Sequence, residues 1–308
     1  MKTALITHVD CLGHVTPEGH PERVARLEHV LHALDGLDLT RVTAPLARDT
    51  DLARVHPQSH IADIRGRAPD EGHHQIDADT WMSPGSLQAA LRAAGGAIKA
   101  VDMVLGGEAT NAFAAIRPPG HHAERQTAMG FCLFGNAALA ARHALDVHGL
   151  ERVAIVDFDV HHGNGTQDLL WDEPRALVIT SQQMPLWPWS GNPSETGAHG
   201  NVLNIALPPE SDGTKMRFEY TRQVFPRLRA FGPELIIISA GFDAHMDDPL
   251  AQLNWETDDF AWVTAELCAL AAELCQGRVV STLEGGYDLK ALSDSARAHV
   301  QELMKAAT

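Results

Sequence analysis

In the stretch VAIVDFDVHHGNG, residues 153–165, an apolar run leads directly into a glycine-rich turn. Its first half has the β-branched composition of a buried strand. Successive side chains of a strand point to opposite faces. If the strand continues, Asp157, Asp159 and His161 therefore share one face. The stretch predicts a buried strand with an unusual polar group at its end.

Similar apolar runs recur along the chain, and helical patterns lie between them. The other runs are ALIT from Ala4, AFAAI from Ala112, ALVIT from Ala176, NVLNI from Asn201, ELIIIS from Glu234 and VVSTL from Val279. The helical patterns run from Pro84 through Ala100, from Asn136 to His148 and from Asp258 to Cys275. Runs that are apolar on both faces are typical of parallel strands covered by helices. The alternation predicts one doubly wound α/β domain over residues 1–308.

Four glycine-containing polar segments follow predicted strands directly. They are RPPGHH at 117–122, DFDVHHG at 157–163, AGFDAH at 240–245 and EGGY at 284–287. Ligands of parallel sheets bind beyond the carboxyl ends of the strands. We therefore expect the four segments to form one site.

Asp159, His161 and Asp243 are the candidate metal ligands of that site. Three protein ligands and an open position are typical of a catalytic Zn²⁺ site, and the cation would offset the charge of buried carboxylates. Two carboxylates and one imidazole could also accept Fe²⁺, Mn²⁺ or Co²⁺. Taken alone, Asp159 and His161 could instead be capping residues after a strand. The third ligand favours the metal site.

His121 and His122 are the candidate proton-transfer groups, because paired histidines beside a metal can move protons to and from water. Asp157 could hold one of them and Asn164 the other. A carboxylate raises the pKa of a histidine, whereas an amide does little. We expect His121 to act mainly through its charge and His122 to move the proton. Tyr287 follows two glycines that let the backbone approach closely, and its hydroxyl is a candidate oxyanion donor.

The composition argues against several classes of protein. A net charge of −16 disfavours a nucleic-acid-binding surface and weakly favours cationic substrates. The N-terminus MKTALITHVD lacks the apolar core of a signal peptide, and no run approaches the length of a membrane span. Four cysteines without a C-x-x-C pair are typical of reduced, mostly buried thiols. We expect a cytoplasmic protein without nucleic-acid or membrane partners; a homo-oligomer stays open.

Histidine is unusually frequent, with 18 residues. Those on amphipathic helical patterns, His29, His32, His143 and His148, are expected at the surface. The adjacent pairs at residues 121–122 and 161–162 lie in turn-like contexts and carry the chemical argument.

The quoted segments resemble those of the histone deacetylase and acetylpolyamine amidohydrolase superfamily. The matching segments, in the same order, are RPPGHHA from Arg117, GFC from Gly130, DFDVHHGNGTQ from Asp157, SAGFD from Ser239 and LEGGYD from Leu283. HPER from His20 and DPL from Asp248 fit as well, so the resemblance covers nearly the whole chain. This chain has asparagine at position 164, where other branches of the superfamily carry aspartate. In this respect it resembles the class II deacetylases and their bacterial relatives.

The resemblance implies an arginase-like α/β fold and a metal-dependent amidohydrolase. Such an enzyme removes an acyl group, most often acetyl, from a primary amine such as a lysine side chain. The implied zinc ligands and catalytic residues are those derived above. The resemblance also implies a potassium ion beside the metal strand, held by backbone carbonyls near Asp157, Asp159 and His161 and by a side chain near Ser181.

The same resemblance implies a narrow channel for the acylated chain. Phe131, which follows Gly130, would form one wall. The segment LWPWSG lies where the opposite wall is expected, so Trp187 or Trp189 would replace the family's smaller aromatic residue. Asp79 would accept the amide N–H of the substrate.

Three alternatives remain beside deacetylation of an acetyl-lysine peptide or a small acyl-amine. One is acetylpolyamine deacetylation, although Leu250, seven residues past Asp243, stands where polyamine-selective relatives place glutamate. Another is a non-catalytic acyl-binding or metal-binding module, which loss of Tyr287 or of the histidine pair would favour; all three residues are present. The third is a binuclear manganese ureohydrolase, which needs more aspartates around the ligand loop.

Overall fold

The computed structural model of the protein describes residues 2–308. Its strands are β1 (Ala4–Thr7), β2 (Thr40–Thr43), β3 (His74–Gln75), β4 (Trp81–Met82), β5 (Asn111–Ala114), β6 (Val153–Asp157), β7 (Ala176–Gln183), β8 (Val202–Leu207), β9 (Leu235–Ala240) and β10 (Val279–Leu283). Its α-helices are α1 (Val24–Ala33), α2 (Asp49–Leu52), α3 (Gln58–Arg67), α4 (Ser86–Leu105), α5 (Asn136–Asp146), α6 (Asn164–Leu170), α7 (Gly213–Glu219), α8 (Phe225–Phe231), α9 (Thr257–Cys275) and α10 (Leu289–Ala306). A 3-10 helix spans Val9–Gly13, and a π-helical turn spans Tyr220–Val224.

Eight strands form one sheet in the order β2-β1-β5-β10-β9-β6-β7-β8, and all neighbouring strands are parallel. The short strands β3 and β4 form a separate antiparallel pair. In the centre of the sheet, Asp157 of β6 is aligned with Ser239 of β9 and with Thr180 of β7. The prediction of a parallel α/β fold is confirmed. The assignment of residues 1–308 to one catalytic domain stays a prediction.

Helices cover the sheet because its central strands are buried on both faces. Every residue of β5, β6, β9 and β10 is buried. Helix α4 packs against β1, β5 and β10 and against the alanine-rich helix α5, while α1, α9 and α10 form another packed group. Small side chains let the helices lie close to the sheet, and the burial of apolar strands is the main source of stability.

Strand β6 ends at Asp157, so Asp159 and His161 lie in the loop beyond it and not on a continued strand face. Side-chain hydrogen bonds turn the chain there. Asp157 Oδ1 accepts a hydrogen bond from the Asp159 amide at 3.1 Å, and Asp159 Oδ1 accepts one from the His161 amide at 2.9 Å. Such local bonds from aspartate compete with the strand ladder. The turn brings all three side chains to the end of the sheet.

One helical histidine departs from the expectation for the surface, and a second, for which no expectation was made, is buried as well. His143 of α5 is only 6% exposed, because it faces the last turn of α4. His299 of α10, which the sequence did not single out, is fully buried between helix and sheet. An amphipathic pattern therefore does not place every polar side chain in water.

The four cysteines are free and buried, as the composition indicated. Among residues 2–308, no helix has both the length and the apolar character needed to span a membrane.

Four adjacent strands, β5, β10, β9 and β6, carry the four polar segments at their carboxyl ends. We call this edge of the sheet the loop rim. Because the strands are neighbours, the segments at 117–122, 157–163, 240–245 and 284–287 meet there.

Candidate active site

Asp159, His161 and Asp243 lie together at the loop rim. One ligand atom from each lies within 4.8 Å of the others. His161 Nδ1 is 3.1 Å from Asp159 Oδ1 and 3.2 Å from Asp243 Oδ2. All three residues are buried, and the other carboxylate oxygens accept backbone hydrogen bonds, from Gly285 to Asp159 at 2.8 Å and from Val160 to Asp243 at 2.9 Å. One imidazole nitrogen and two carboxylates therefore point at a common centre.

This donor set fits a divalent cation. Two buried carboxylates side by side repel each other unless a positive charge lies between them. Burial and the charge of Asp159 raise the pKa of Asp243. Burial by itself would lower the pKa of His161, but its hydrogen bonds to Asp159 and Asp243 raise it to about 10. The two carboxylates therefore favour a positive charge between them, which a divalent cation would supply.

His121 is paired with Asp157. Its Nδ1 lies 2.9 Å from Asp157 Oδ2, and its Nε2 lies 3.6 Å from Asp159 Oδ2. Burial by itself would lower the pKa of His121, but the charges of Asp159 and Asp157 raise it well above its usual range. His121 is therefore held as a cation beside the metal cluster.

His122 is paired with Asn164. Its Nδ1 lies 2.7 Å from Asn164 Oδ1, and the Asn164 amide nitrogen donates to Glu124 at 2.8 Å. The second bond fixes the orientation of the amide, so His122 Nδ1 carries the proton and Nε2 is free to accept one. Burial and the nearby positive charges of His121 and His161 lower the pKa of His122 well below its usual range. Two adjacent histidines thus hold different protonation states.

Tyr287 is buried beside the cluster with its ring near Phe131, at a centroid distance of 5.8 Å. Burial raises the pKa of its phenol well above the usual range, so the hydroxyl keeps its proton. Asp248 Oδ2 accepts a hydrogen bond from the Tyr287 amide at 2.7 Å, and Asp248 Oδ1 accepts one from the Leu250 amide at 2.9 Å. Asp248 therefore connects the tyrosine loop to the loop that carries Leu250.

Three buried charged residues, Glu22, Arg26 and Arg117, support the loops from the side of the sheet, and no role for them was predicted. Arg26 donates to the carbonyl oxygens of Glu284 and Gly286, at 2.5 and 2.6 Å, and lies 4.9 Å from the Tyr287 ring centroid. Glu22 accepts hydrogen bonds from both arginines. All three are fully buried. Glu22 in HPER and Arg117 in RPPGHHA belong to matching segments, which was a signal for two of the three, but a charged residue in a sequence usually indicates the surface.

Glu284 is a fourth buried charge that the sequence left unassigned. It accepts hydrogen bonds from the Gly120 and His121 amides, at 2.7 and 3.2 Å. Burial raises its pKa to about 7. The two hydrogen bonds that Glu284 accepts fix the backbone that carries the histidine pair.

A cavity of about 330 Å³ leads from the surface to His122, His161 and Tyr287. We call this cavity the channel. Trp187 lines one wall, 4.7 Å from the His122 ring, and Phe131 lines the other. Gly130 has a φ of 55°, and a Cβ atom there would overlap His122 and Trp187, so only glycine fits. Of the two tryptophans considered from the sequence, Trp189 does not line the channel and is 74% exposed.

Asp79 and Leu250 also line the channel. Asp79 contributes a carboxylate to the lining of the channel, outside the metal cluster. Burial and the charge of neighbouring Asp77 raise the pKa of Asp79. His20, another lining residue, lies between the Asp79 carbonyl, 2.9 Å from its Nε2, and the Phe131 ring at 4.8 Å. His20 opens the matching segment HPER, but no role in the channel was predicted for it.

Ser181 lies under the metal loop. Its Oγ is 3.5 Å from the Asp157 carbonyl oxygen and 2.7 Å from the Tyr220 hydroxyl. Ser181 therefore donates a long hydrogen bond to the backbone of the metal loop.

A parallel sheet with a candidate metal cluster at the end of an aromatic channel is the arrangement expected of a metal-dependent amidohydrolase. The histone deacetylase domain matches residues 20–303. The chain belongs to the histone deacetylase family, and its relatives include proteins named deacetylases and amidohydrolases.

Individual relatives agree with this assignment. Chloroplastic histone deacetylase 10 of Oryza sativa subsp. japonica is 40% identical over 308 residues, covering 92% of this chain and 69% of that protein. The Homo sapiens protein named polyamine deacetylase HDAC10 is 35% identical over 327 residues, covering 99% of this chain and 48% of that protein. The crystal structure of the HDA15 HD domain matches with a TM-score of 0.92 at 32% identity, covering 99% of this chain and 88% of that chain.

Proposed function

We propose that this deacetylase hydrolyses the acyl amide of a primary amine, most readily an acetyl-lysine side chain or a similar small acyl-amine, with Zn²⁺ as its metal. The convergence of His122, His161 and Tyr287 at the inner end of the channel carries this proposal. Fe²⁺, Mn²⁺ and Co²⁺ would suit the same ligands, Asp159, His161 and Asp243.

The metal, when bound, supplies Lewis-acid polarisation of the amide carbonyl and makes water more acidic. His122 Nε2 then takes the proton of the attacking water, because its Nδ1 is occupied by Asn164. The same nitrogen returns the proton to the leaving amine. His121 stays protonated through Asp157 and stabilises the negative charge that develops nearby.

Tyr287 donates a hydrogen bond to the carbonyl oxygen as its negative charge develops. The raised pKa of the phenol supports this role, because only a protonated hydroxyl can donate. Arg26 and Asp248 hold the backbone on either side of the tyrosine and are positioning residues.

We also propose a structural K⁺ ion beside the metal loop. The carbonyl oxygens of Asp157, Asp159 and His161 and the Ser181 hydroxyl would hold it. The position of Ser181 Oγ, 3.5 Å from the Asp157 carbonyl oxygen, supports this assignment.

The channel walls fit a straight aliphatic chain between two aromatic faces, Phe131 and Trp187. Asp79 would accept the N–H of the substrate amide at the outer part of the channel. Residues 1–308 would act as one catalytic domain.

Acetylpolyamine deacetylation is the second candidate. The name of the human relative and the net charge of −16 favour it. Asp79 is available to face a cationic chain, but Leu250 gives the channel mouth an apolar group where a carboxylate would select polyamines. The leucine favours peptides or small acyl-amines.

The deciding experiment compares kcat/KM of the zinc-loaded protein on an acetyl-lysine peptide and on acetylspermidine. A clear preference for the peptide is the expected result. A preference for acetylspermidine would replace the first candidate by the second. Inactivity on both, and on other acyl-lysines, would contradict the proposed substrate class.

A further inference from the structure

A second cluster of metal-binding side-chain types lies away from the channel. Asp102 is in the last turn of α4, His143 is in the last turn of α5, and His148 is in the segment between α5 and β6. Both helices end near the amino ends of the strands that follow them, β5 and β6. The cluster therefore lies at the edge of the sheet opposite the loop rim.

The two histidines converge on one oxygen atom. His143 Nε2 is 2.7 Å and His148 Nε2 is 2.8 Å from Asp102 Oδ1. The two rings are nearly perpendicular, at 72°, with their centroids 5.3 Å apart. The three ligand atoms lie within 4.8 Å of one another. Each imidazole thus presents its own Nε2 atom to a common point, one from helix α5 and the other from the segment that follows it.

His143 depends on this cluster for its only polar contact. Its side chain is 7% exposed, and its other ring nitrogen, Nδ1, is buried without a hydrogen-bond partner among the described residues. The side chains of Asp102 and His148 are 40% and 26% exposed, so an ion and its water can enter from solvent. The cluster combines one ligand fixed by burial with two that can adjust.

We propose that Asp102, His143 and His148 bind a divalent transition-metal ion, with water completing its coordination. Zn²⁺ bonds of about 2.0–2.1 Å require tetrahedral ligand atoms to lie roughly 3.3 Å apart. The present nitrogen–oxygen distances of 2.7 and 2.8 Å need to open by only about 0.5 Å, within the freedom of two partly exposed side chains.

The donor chemistry selects the kind of ion. Two imidazoles and one carboxylate suit Zn²⁺, Co²⁺, Ni²⁺ or Cu²⁺, whereas Mg²⁺ and Ca²⁺ prefer oxygen ligands. The bound ion would join the ends of α4 and α5, which pack against each other. This site is independent of the proposed deacetylation, because none of its residues lines the channel.

The test counts ions in the full-length protein. Apo-protein is loaded with Zn²⁺, dialysed and analysed for metal, and Co²⁺ absorption spectra report the ligand field. His161→Ala removes the site at the channel, and His148→Ala removes the new one. We expect wild type to retain one more equivalent than either single variant, and the double variant to retain neither ion.

Two further variants separate metal binding from simple hydrogen bonding. Asp102→Asn keeps a hydrogen-bond acceptor of the same shape but lowers metal affinity, and we expect at least tenfold weaker Zn²⁺ binding at this site, since removing a ligand charge weakens a three-ligand site. His29→Ala, on the exposed face of α1, is the matched control and keeps the wild-type metal content. Equal metal content in wild type and His148→Ala, or a folded His161→Ala that retains no Zn²⁺, would overturn the proposal.

Discussion

His121 and His122 are adjacent in the chain, yet their side chains meet different partners. The carboxylate of Asp157 holds a proton on one ring, and the amide of Asn164 leaves the other neutral. Both partners could be anticipated from the sequence, because Asp157 precedes the ligand loop and Asn164 follows it. The orientation of the Asn164 amide could not, since it depends on Glu124, which belongs to another loop.

Removal of the Tyr287 hydroxyl tests the oxyanion role. We expect Tyr287→Phe to lower kcat roughly 10²–10³-fold, the typical loss of one oxyanion donor. The ring and its contacts with Phe131 and Arg26 remain, so the free energy of unfolding should change little. Steady-state kinetics of the zinc-loaded protein give the answer.

The matched control is Tyr220→Phe, which removes the other phenolic hydroxyl of the chain. Tyr220 is buried and bonded to Ser181, so its loss should cost about 1 kcal/mol of stability with kcat near that of wild type. A Tyr287→Phe variant with wild-type turnover would rule out the proposed hydrogen bond to the substrate.

Substrate choice can be tested at Leu250, one of the residues that line the channel. A glutamate in Leu250→Glu should attract the distant amine of acetylspermidine. We expect kcat/KM for acetylspermidine, relative to kcat/KM for the acetyl-lysine peptide, to rise roughly threefold to tenfold. This is the effect of a partly exposed ion pair. Leu186→Glu, at another lining position, is the control for a general effect of charge. An equal response of both variants would mean that position 250 does not set selectivity.

At the scale of elements, the central strands were predictable because burial on both faces leaves continuous apolar runs. The edge strand β2, with the sequence TRVT, was missed because most of its side chains are exposed and give no such run. The end of β6 was misplaced because its side-chain hydrogen bonds stop the ladder at Asp157. Local bonds of this kind leave no periodic signal in a sequence.

Buried charges were the other feature that the sequence could not place. Glu22 and Arg26 lie four residues apart, as they would on an exposed helix face. Only the approach of Arg117 from a distant loop shows that they are internal. The metal and histidine clusters were easier, because several chemically related side chains follow neighbouring strands.

Helix α10 is joined to α9 and β10 through His299. Its Nδ1 is 2.7 Å from Thr264 Oγ1, and its Nε2 is 2.8 Å from Ser281 Oγ. Burial lowers its pKa from 6.5 to about 3. Between pH 6.5 and about pH 3, the unfolded chain therefore binds a proton on His299 that the folded chain does not bind. The free energy of unfolding therefore falls as the pH falls below 6.5.

His299→Gln should weaken this pH dependence. The amide can contact Thr264 and Ser281 but does not titrate. The slope of unfolding free energy against pH in the acidic range should fall by up to about 1.4 kcal/mol per pH unit, the value for one proton. Urea unfolding at several pH values measures it. The exposed His29→Gln should keep the wild-type slope; an unchanged slope in His299→Gln would mean that His299 is already protonated in the fold.

Considered as one body, the molecule has its two proposed metal sites at opposite edges of the sheet. The loop rim holds the catalytic cluster, and the amino ends of β5 and β6 lie beside the cluster of Asp102, His143 and His148. The rim requires its ion more strongly, because Asp159 and Asp243 are buried carboxylates. The other cluster satisfies its single carboxylate with hydrogen bonds when no ion is present.

Metal removal should therefore weaken the molecule as well as inactivate it. Free Zn²⁺ at 100 times its Kd stabilises a one-site protein by about 2.7 kcal/mol, so chelation should lower Tm by roughly 5 °C. Differential scanning calorimetry of His148→Ala isolates the effect of the rim, and added Zn²⁺ should restore both Tm and activity. Asp243→Asn should show no such response; a response equal to that of the parent protein would place the ion elsewhere.

The carboxylates under the loop rim also affect how often its loops open. Backbone amides of Gly120, Val160, Gly285 and Tyr287 donate to the buried side chains of Glu284, Asp243, Asp159 and Asp248. Loop amides normally exchange their hydrogens with solvent quickly, because loops open locally at little cost. Here each opening would expose a buried carboxylate and break its bonds. These four amides should exchange with deuterium as slowly as those of the central strands, so the catalytic loops and the sheet unfold as one cooperative unit.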